Sequence, residues 1–203
     1  MILYLHGFRS SPSSTKARLM AQAMAQRGRA ADWQCPQLPA SPAAAIALAT
    51  QLAQTQLKTL AARGVASPRA LTVIGSSLGG YYAAWLAERL DCKAVLLNPA
   101  VNAARDLATQ VGEHTMYHCA APLVFRPEYV DELAAMQVSK PTQPERYFLL
   151  AATGDEVLDW QEMRDHYTGC RQRIIPGSDH GLSDFPRWLP EVMDFALAPA
   201  PPP

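Results

Sequence analysis

The stretch LTVIGSSLGGYYAAWLAERL, residues 71–90, decides the fold class. It begins with apolar residues rich in strand formers, passes through a short Gly/Ser segment and continues with small and apolar residues at helical spacing. This order predicts a buried strand over 71–75 and a helix over 78–90, joined by a very tight turn. A strand followed directly by a helix is the repeating unit of proteins built on a parallel sheet.

The rest of the chain repeats this alternation. Apolar runs predict further strands over 1–5, 30–38, 93–98, 146–152 and 171–175, and helical spacing predicts helices over 16–27, 42–62, 160–167 and 190–197. Near-continuous apolar strands are expected where helices cover both faces of a sheet. The sequence therefore predicts a small α/β fold, with a mainly parallel sheet of about six strands and helices on both faces.

One segment interrupts the alternation. Residues 101–145 follow a strand end and show one predicted helix, over 128–137, without a regular succession of strands. We expect this segment to form a short cap-like insertion over the functional face of a single domain that spans residues 1–198. The proline-rich end, residues 199–203, cannot pack and is expected to be disordered.

Composition narrows the class of partner. The 203 residues carry 18 basic and 18 acidic side chains, so the formal net charge is zero. Nucleic acids and anionic membranes require a basic face, and we therefore expect a small-molecule substrate, no nucleic acid and no stable membrane association. The first apolar run is too short for a signal peptide or a membrane span, which predicts a cytoplasmic protein. The oligomeric state is left open.

Four widely spaced cysteines occur without a CxxC motif. This spacing indicates neither a zinc site nor a redox pair, and buried or half-buried free thiols are the expected state. We predict no metal and no cofactor.

Residues 75–79, GSSLG, match the pattern G-x-S-x-G with Ser77 at the nucleophile position. In this motif a sharp strand-to-helix turn holds the serine in strained backbone geometry and exposes its Oγ. The next backbone N–H, that of Leu78, lies at a helix start and is the expected donor to an oxyanion. Ser76 is the weaker candidate nucleophile.

A serine hydroxyl needs a base to become a good nucleophile. His180 lies in the loop PGSDHG after the last predicted strand and follows Ser77 in the chain, as the order Ser, Asp or Glu, His requires. His6 ends the first strand and is interpreted as a hydrogen-bonded loop residue that shapes the site. Structural roles are predicted for the remaining histidines, which are His114, His118 and His166.

An acid must orient the imidazole and stabilise its charged form. Asp155 follows the strand YFLLAA and a Thr-Gly turn, which places it at the same sheet edge as His180. Asp179 adjoins the histidine in sequence, and neighbouring side chains seldom face each other well. Glu156 and Asp159 are the next alternatives, interpreted as solvated or helix-capping residues.

The loop after the first strand, HGFR at residues 6–9, should supply the second oxyanion donor. We predict the backbone N–H of Phe8 in this role, with Gly7 permitting a close approach. Gly7, Phe8 and Arg9 are the predicted substrate-pocket residues. Arg9 either contacts an anionic group of the substrate or remains a solvated cation.

These motifs resemble the YqiA-like esterase family, UPF0227, of the α/β-hydrolase superfamily. The similar segments occur in the expected order and span nearly the whole chain: LYLHGFRSSPSSTKA at 3–17, PQLP at 36–39, VIGSSLGGYYAAWLA at 73–87, LLNPAV at 96–101, TGDEVLD at 153–159 and GSDHGLSDF at 177–185. The resemblance implies a small esterase without a cofactor that uses Ser77, Asp155 and His180 on short acyl esters, or alternatively on acyl thioesters. The similarity is weak over 103–127, where substrate size would be set, and absent from the tail.

Several activities compete at this stage. The leading hypothesis is a serine esterase that works through an acyl-enzyme, and a thioesterase or acyltransferase would use the same residues. Dehalogenase or epoxide hydrolase chemistry is disfavoured, because those enzymes have an aspartate where Ser77 stands. A binding protein that kept the fold would not need all three residues, and a nucleotide-binding protein would need a phosphate loop that HGFRSSPSS does not match.

Overall fold

The computed structural model describes residues 1–65, 67–117, 119 and 121–199. In chain order the strands are Ile2–Leu5 (β1), Trp33–Gln34 (β2), Thr72–Ser76 (β3), Lys93–Leu97 (β4), Gly112–Thr115 (β5), Pro122–Phe125 (β6), Tyr147–Ala152 (β7) and Arg171–Ile175 (β8). The helices are Thr15–Gln26 (α1), Pro42–Ala62 (α2), Leu78–Leu90 (α3), Ala103–Ala108 (α4), Glu128–Ala134 (α5), Trp160–His166 (α6) and Phe185–Leu197 (α7).

Six strands form one sheet in the order β2-β1-β3-β4-β7-β8. Every neighbouring pair in it is parallel. The four central strands are buried along their whole length, because helices cover both faces. The predicted fold, a parallel sheet of six strands between two layers of helices, is confirmed.

Alternate residues of each central strand serve two separate cores. In β1, Leu3 and Leu5 pack in the core that α2 and α3 cover, whereas Ile2 and Tyr4 pack in the core that α1 and α7 cover. Successive side chains of a strand point to opposite faces, so a continuous apolar run can fill both cores. All six strands of the sheet end at one edge, where the polar loops of the chain converge.

The predicted boundaries differ from the observed ones at two elements. The strand predicted over 30–38 is only β2, two residues at the sheet edge, because Pro36 and Pro39 cannot donate ladder hydrogen bonds. The terminal helix begins at Phe185 and contains Pro190, which was predicted to start it. Pro186 lies in its first turn, where a missing N–H costs no hydrogen bond.

The segment 101–145 forms α4, the antiparallel pair β5–β6 and α5. The hairpin was not predicted, since β5 is short and polar and the apolar run of β6 has only four residues and begins with a proline. The predicted helix over 128–137 ends earlier, at Ala134. Phe125 of β6 is buried and contacts the rings of Phe8 and Tyr129, with centroids 5.3 and 5.5 Å apart. The interpretation of the segment as a cap stays a prediction.

A buried arginine fixes the start of β7. The side chain of Arg146 is 2% exposed, and its Nη1 donates to the carbonyl oxygens of Ala87 at 2.6 Å and Cys92 at 2.9 Å. Its Nη2 lies 3.3 Å from a carboxylate oxygen of Glu88. Because these partners lie at the end of α3 and just before β4, the arginine joins three elements of the core.

The four cysteines are free thiols. Cys92 is buried and Cys35 and Cys170 are half-buried, as expected, but Cys119 is exposed. Among the described residues no helix is long and apolar enough to cross a membrane, and no group of three or more His, Cys, Asp or Glu is placed to hold a metal ion. The structural role predicted for His118 and the tail predicted to be disordered, apart from its first residue, lie outside the described residues.

Candidate active site

Ser77 occupies the turn between β3 and α3. Its backbone angles are φ 55° and ψ −122°, a region that non-glycine residues rarely adopt. The turn is held on both sides, because the N–H of Ser77 donates to the carbonyl of Leu97 at 3.0 Å and its carbonyl accepts from the N–H of Ala100 at 3.1 Å. The surrounding structure therefore maintains the strained conformation that the sequence motif predicts.

Two glycines make this turn possible. A Cβ added at Gly75 would lie 2.0 Å from the carbonyl oxygen of Gly79, and one added at Gly79 would lie 2.0 Å from the carbonyl oxygen of Leu5. Backbone atoms cannot yield to such contacts, so any side chain here would push the first turn of α3 away from the sheet. The two fixed glycines of the motif are therefore required by packing around Ser77.

The imidazole of His180 bridges Ser77 and Asp155. Its Nε2 lies 3.0 Å from Ser77 Oγ, and its Nδ1 lies 2.8 and 3.0 Å from the two carboxylate oxygens of Asp155. These are hydrogen-bond distances. The structure thus brings together the three residues predicted for catalysis, although Ser77 and His180 are separated by 103 positions in the chain.

The carboxylate of Asp155 is fully buried and fixed by its own loop. Its Oδ1 accepts hydrogen bonds from the backbone N–H groups of Val157 and Leu158, both at 2.8 Å. The loop lies against the one that carries the histidine, since a Cβ at Gly154 would come within 2.3 Å of the carbonyl oxygen of Ser178. The acid is therefore held in a single orientation toward Nδ1.

The alternative acids serve the loops. Oδ1 of Asp179 accepts from the N–H of Ser183 at 2.9 Å, and a carboxylate oxygen of Glu156 accepts from the backbone N–H of His180 at 3.0 Å. Asp159 caps α6 by accepting from the N–H of Gln161 at 2.8 Å. Only Asp155 is hydrogen-bonded to the imidazole of His180 among the described carboxylates.

His6 supports the loop that passes over Ser77. It is buried; its Nε2 accepts the N–H of Leu38 at 3.0 Å, and its Nδ1 lies 3.0 Å from the carbonyl oxygen of Gly7. This arrangement requires Nδ1 to carry the proton and to donate. A Cβ at Gly7 would lie 3.1 Å from Ser77 Cβ, so the loop lies close to the serine.

Two other histidines lie outside the bridge formed by His180. His114 Nε2 is 2.6 Å from the carbonyl oxygen of Gln110, and its ring contacts the edge of Phe8 at 5.3 Å. His166, at the end of α6, contacts the ring of Tyr167 at 4.7 Å, and burial lowers the pKa of its imidazole. Both positions are compatible with the structural roles predicted for them.

Asn98, at the end of β4, was not identified from the sequence. It is completely buried at φ 42°, and its Nδ2 donates to the carbonyl oxygens of Asp179 at 3.0 Å and His180 at 3.1 Å. Its Oδ1 accepts from the N–H of Ala152 at 2.8 Å. The side chain therefore ties the histidine loop to β4 and β7. A polar residue before proline at the end of a buried strand was the available signal.

A cavity of about 980 Å³ opens beside Ser77 and His180. The predicted pocket residues Gly7, Phe8 and Arg9 line it, as does Leu78. The Nε of Arg9 donates to the carbonyl of Thr115 at 2.9 Å, and its guanidinium lies 4.5 Å from the ring centroid of Tyr117. The first loop and the segment 101–145 are thus joined at the cavity wall.

Solved structures with the same fold include several named as hydrolases. A putative hydrolase from Agrobacterium vitis S4 is 18% identical, with a TM-score of 0.67 over 96% of this chain and 87% of that one. A structure of the metagenome-derived lipolytic enzymes LipS and LipT is 17% identical, with a TM-score of 0.68 over 96% and 92%. Est1E from Butyrivibrio proteoclasticus, bound to ferulic acid, is 15% identical, with a TM-score of 0.66 over 97% and 86%.

At these identities the likeness establishes the α/β-hydrolase fold. Membership of a family rests on a separate observation, which is that a family model matches almost the whole chain, residues 1–197. The chain belongs to the uncharacterised protein family UPF0227.

Proposed function

We propose that the protein is a serine esterase that hydrolyses carboxylic esters through an acyl-enzyme. The observation that carries this proposal is the continuous hydrogen-bonded path from Ser77 Oγ through the imidazole of His180 to the buried carboxylate of Asp155. Such a path allows a neutral serine to be deprotonated as it attacks a carbonyl carbon. The fold shared with a structure of enzymes described as lipolytic agrees with this proposal.

The chemistry follows from the positions of the protons. Nε2 of His180 accepts the proton of Ser77 as Oγ bonds to the ester carbon, and Asp155 stabilises the imidazolium through Nδ1–H. The imidazolium then protonates the departing alcohol, which leaves an acyl group on Ser77. Water, deprotonated by the same imidazole, attacks the acyl carbon and releases the acid.

The oxyanion of each tetrahedral intermediate needs donors that are already oriented. The first N–H groups of a helix have no acceptor within it, and Leu78 is the first residue of α3. We assign its N–H as one donor and the N–H of Phe8, in the loop beside Ser77, as the other. Helix α3 adds a favourable dipole at the same place.

The proposal extends to the substrate class, the cap segment and the cellular location. Short-chain acyl esters are the proposed substrates, and the segment 101–145 is the proposed cap, since α4 and Tyr117 line the cavity. A thioester would be cleaved by the same steps, with a thiol in place of the alcohol. A cytoplasmic location also belongs to the proposal.

A fluorophosphonate probe tests the nucleophile directly. We expect covalent labelling of the wild type and of Ser76→Ala, and no labelling of Ser77→Ala. A series of p-nitrophenyl esters from acetate to octanoate, with acyl thioesters alongside, then ranks the substrates. Labelling that survives Ser77→Ala but is lost in Ser76→Ala would contradict the assignment. A wild type that neither labels nor hydrolyses any ester would contradict the proposed function as a whole.

A further inference from the structure

Three cations line the cavity, and they differ in how they are neutralised. The guanidinium of Arg105 contacts carboxylate oxygens of Glu162 at 2.7 and 2.8 Å and of Asp106 at 2.8 Å. Arg9 and Lys16 form no ion pair with any described residue. Both belong to the segment between β1 and the first turn of α1, which passes beside the candidate nucleophile.

Lys16 lies on the cavity wall next to the histidine loop. It is the second residue of α1, and its Nζ donates to the carbonyl oxygen of Gly181, the residue that follows His180. The cavity that it lines also contains Ser77. The ammonium group is therefore placed to meet a substituent of a substrate bound for attack by that serine.

The side chain of Lys16 is half-buried. Burial lowers its pKa to about 8, and the charges of Asp179 and Asp155 only partly oppose this shift. The group still carries its charge at neutral pH. A partly desolvated charge without an ion-pair partner is stabilised by an anion that binds beside it. The N-terminal end of α1, a helix of 12 residues, faces the cavity and favours an anion there.

The carboxylates near the cavity leave two of its three cations without an ion-pair partner among the described residues. Against the three cations stand two carboxylates that line the cavity, those of Asp106 and Asp179. The carboxylate of Asp155 is fully buried and engaged by His180 and by two backbone N–H groups. Since Asp106 and Glu162 are both paired with Arg105, and Asp179 forms no ion pair with Arg9 or Lys16, these two cations remain available to a single carboxylate of a substrate.

We propose, on the basis of the esterase activity proposed above, that the cavity selects esters that also carry a free carboxylate, and that Lys16 and Arg9 bind this carboxylate. Lys16 receives it beside the histidine loop, and Arg9 receives it from the side of Tyr117. Neither residue takes part in the bond changes. Their effect is on the affinity for the substrate and its transition state.

Two matched pairs of esters test the proposal, each normalised to its uncatalysed hydrolysis rate. Mono-p-nitrophenyl adipate against its methyl ester places the carboxylate on the acyl side, and para-butyryloxybenzoate against its methyl ester places it on the alcohol side. We expect kcat/KM to favour the carboxylate in at least one pair by about tenfold, since a hydrogen bond to a charged partner contributes on this scale. Equal or lower values for the carboxylate in both pairs would overturn the proposal.

Variants of Lys16 distinguish binding of the substrate carboxylate from support of the histidine loop. Lys16→Met should remove most of the preference, whereas Lys16→Arg should retain it. The matched control is Lys58→Met, which removes one positive charge from the exposed face of α2, outside the cavity wall. If Lys16 only held the Gly181 carbonyl, Lys16→Met would lower kcat/KM equally for both members of a pair, and that result would also overturn the proposal.

A binding measurement distinguishes failure of this inference from failure of the esterase proposal. Amides with N–H in place of the ester oxygen resist hydrolysis, and calorimetry gives their Kd without turnover. Tighter binding of the carboxylate amide than of the analogue with a primary carboxamide in place of the carboxylate, lost in Lys16→Met, would support the inference even if no ester is cleaved. Equal affinities in the wild type would refute it even if esters are cleaved.

Discussion

Replacement of Asn98 by alanine should weaken the fold and misplace the candidate base. The change removes two donors from the carbonyls of Asp179 and His180 and one acceptor from the N–H of Ala152. At about 1 kcal/mol for each buried group left unsatisfied, the loss is about 3 kcal/mol. Alanine at φ 42° adds about 1 kcal/mol. We therefore expect the free energy of unfolding to fall by about 4 kcal/mol.

Thermal unfolding measures this loss. For a chain of this size each kcal/mol lowers Tm by about 2–4 °C, so Asn98→Ala should lower it by about 10 °C. Asn98→Gly loses the same hydrogen bonds without the backbone strain and should unfold a few degrees higher than the alanine variant. The matched control is Asn102→Ala, because Asn102 has an ordinary φ of −111° and, among the described residues, its side chain forms one hydrogen bond, to Glu162 at 3.2 Å. Its Tm should fall by less than about 3 °C.

Turnover supplies the second readout for Asn98. A released loop would shift the imidazole from its 3.0 Å contact with Ser77 Oγ, and a misplacement of about 1 Å can cost about 10²-fold in rate. We expect kcat for a neutral p-nitrophenyl ester to fall by that order at a temperature where the variant is folded. An Asn98→Ala variant with a Tm within about 3 °C of the wild type and an unchanged kcat would refute the reasoning.

Three further predictions concern the acid Asp155, the turn between β3 and α3, and the buried Arg146. Asp155→Asn should lower kcat on the order of 10⁴-fold, because the amide favours the wrong tautomer of His180. Asp179→Asn should have little effect on kcat for a neutral ester. The reverse order of the two effects in steady-state kinetics would assign the role of the acid to Asp179. Gly79→Ala should fail to yield folded protein by circular dichroism, because its Cβ would meet the carbonyl of Leu5 at 2.0 Å, and a native spectrum would contradict the packing argument. Arg146→Met should lower the free energy of unfolding by about 3 kcal/mol or more in urea denaturation, since buried carbonyls lose their donor; a loss below about 1 kcal/mol would mean that the ion and its hydrogen bonds are replaceable by apolar contact.

Local rules account for the parts of the fold that were predicted. Continuous apolar runs indicate strands buried on both faces, and the bounds of α2, α3 and β8 agree with the predicted ones. The predicted and observed boundaries differ at β2 and at the start of α7, and both elements lie near prolines. Because proline is compatible with a loop, a sheet edge or the first turn of a helix, the surrounding structure determines where each element begins and ends. The hairpin depends on the pairing of the polar strand β5 with the short apolar strand β6, which periodicity does not reveal.

The candidate site also combines features that are local in the sequence with contacts between distant residues. A tight turn between a strand and a helix is a local feature, so GSSLG indicates Ser77, and the loops after later strands indicate Asp155 and His180. Their catalytic roles remain predictions. The signal for Asn98 was present in the motif NPA, but its partners lie 54, 81 and 82 positions away. No sequence pattern connects them.

The sequence by itself determined the alternation of strands and helices, the tight turn at Ser77 and the loops that carry Asp155 and His180, because each depends on residues close together in the chain. Only the tertiary structure decided which acid faces the imidazole, what holds the histidine loop and which cations lack a counterion. Those properties depend on distances between loops that the parallel sheet brings to one edge. Lys16 is an example. Its place in the sequence, at the start of a helix, does not indicate a role, whereas the structure places it beside Gly181 in the wall of the cavity.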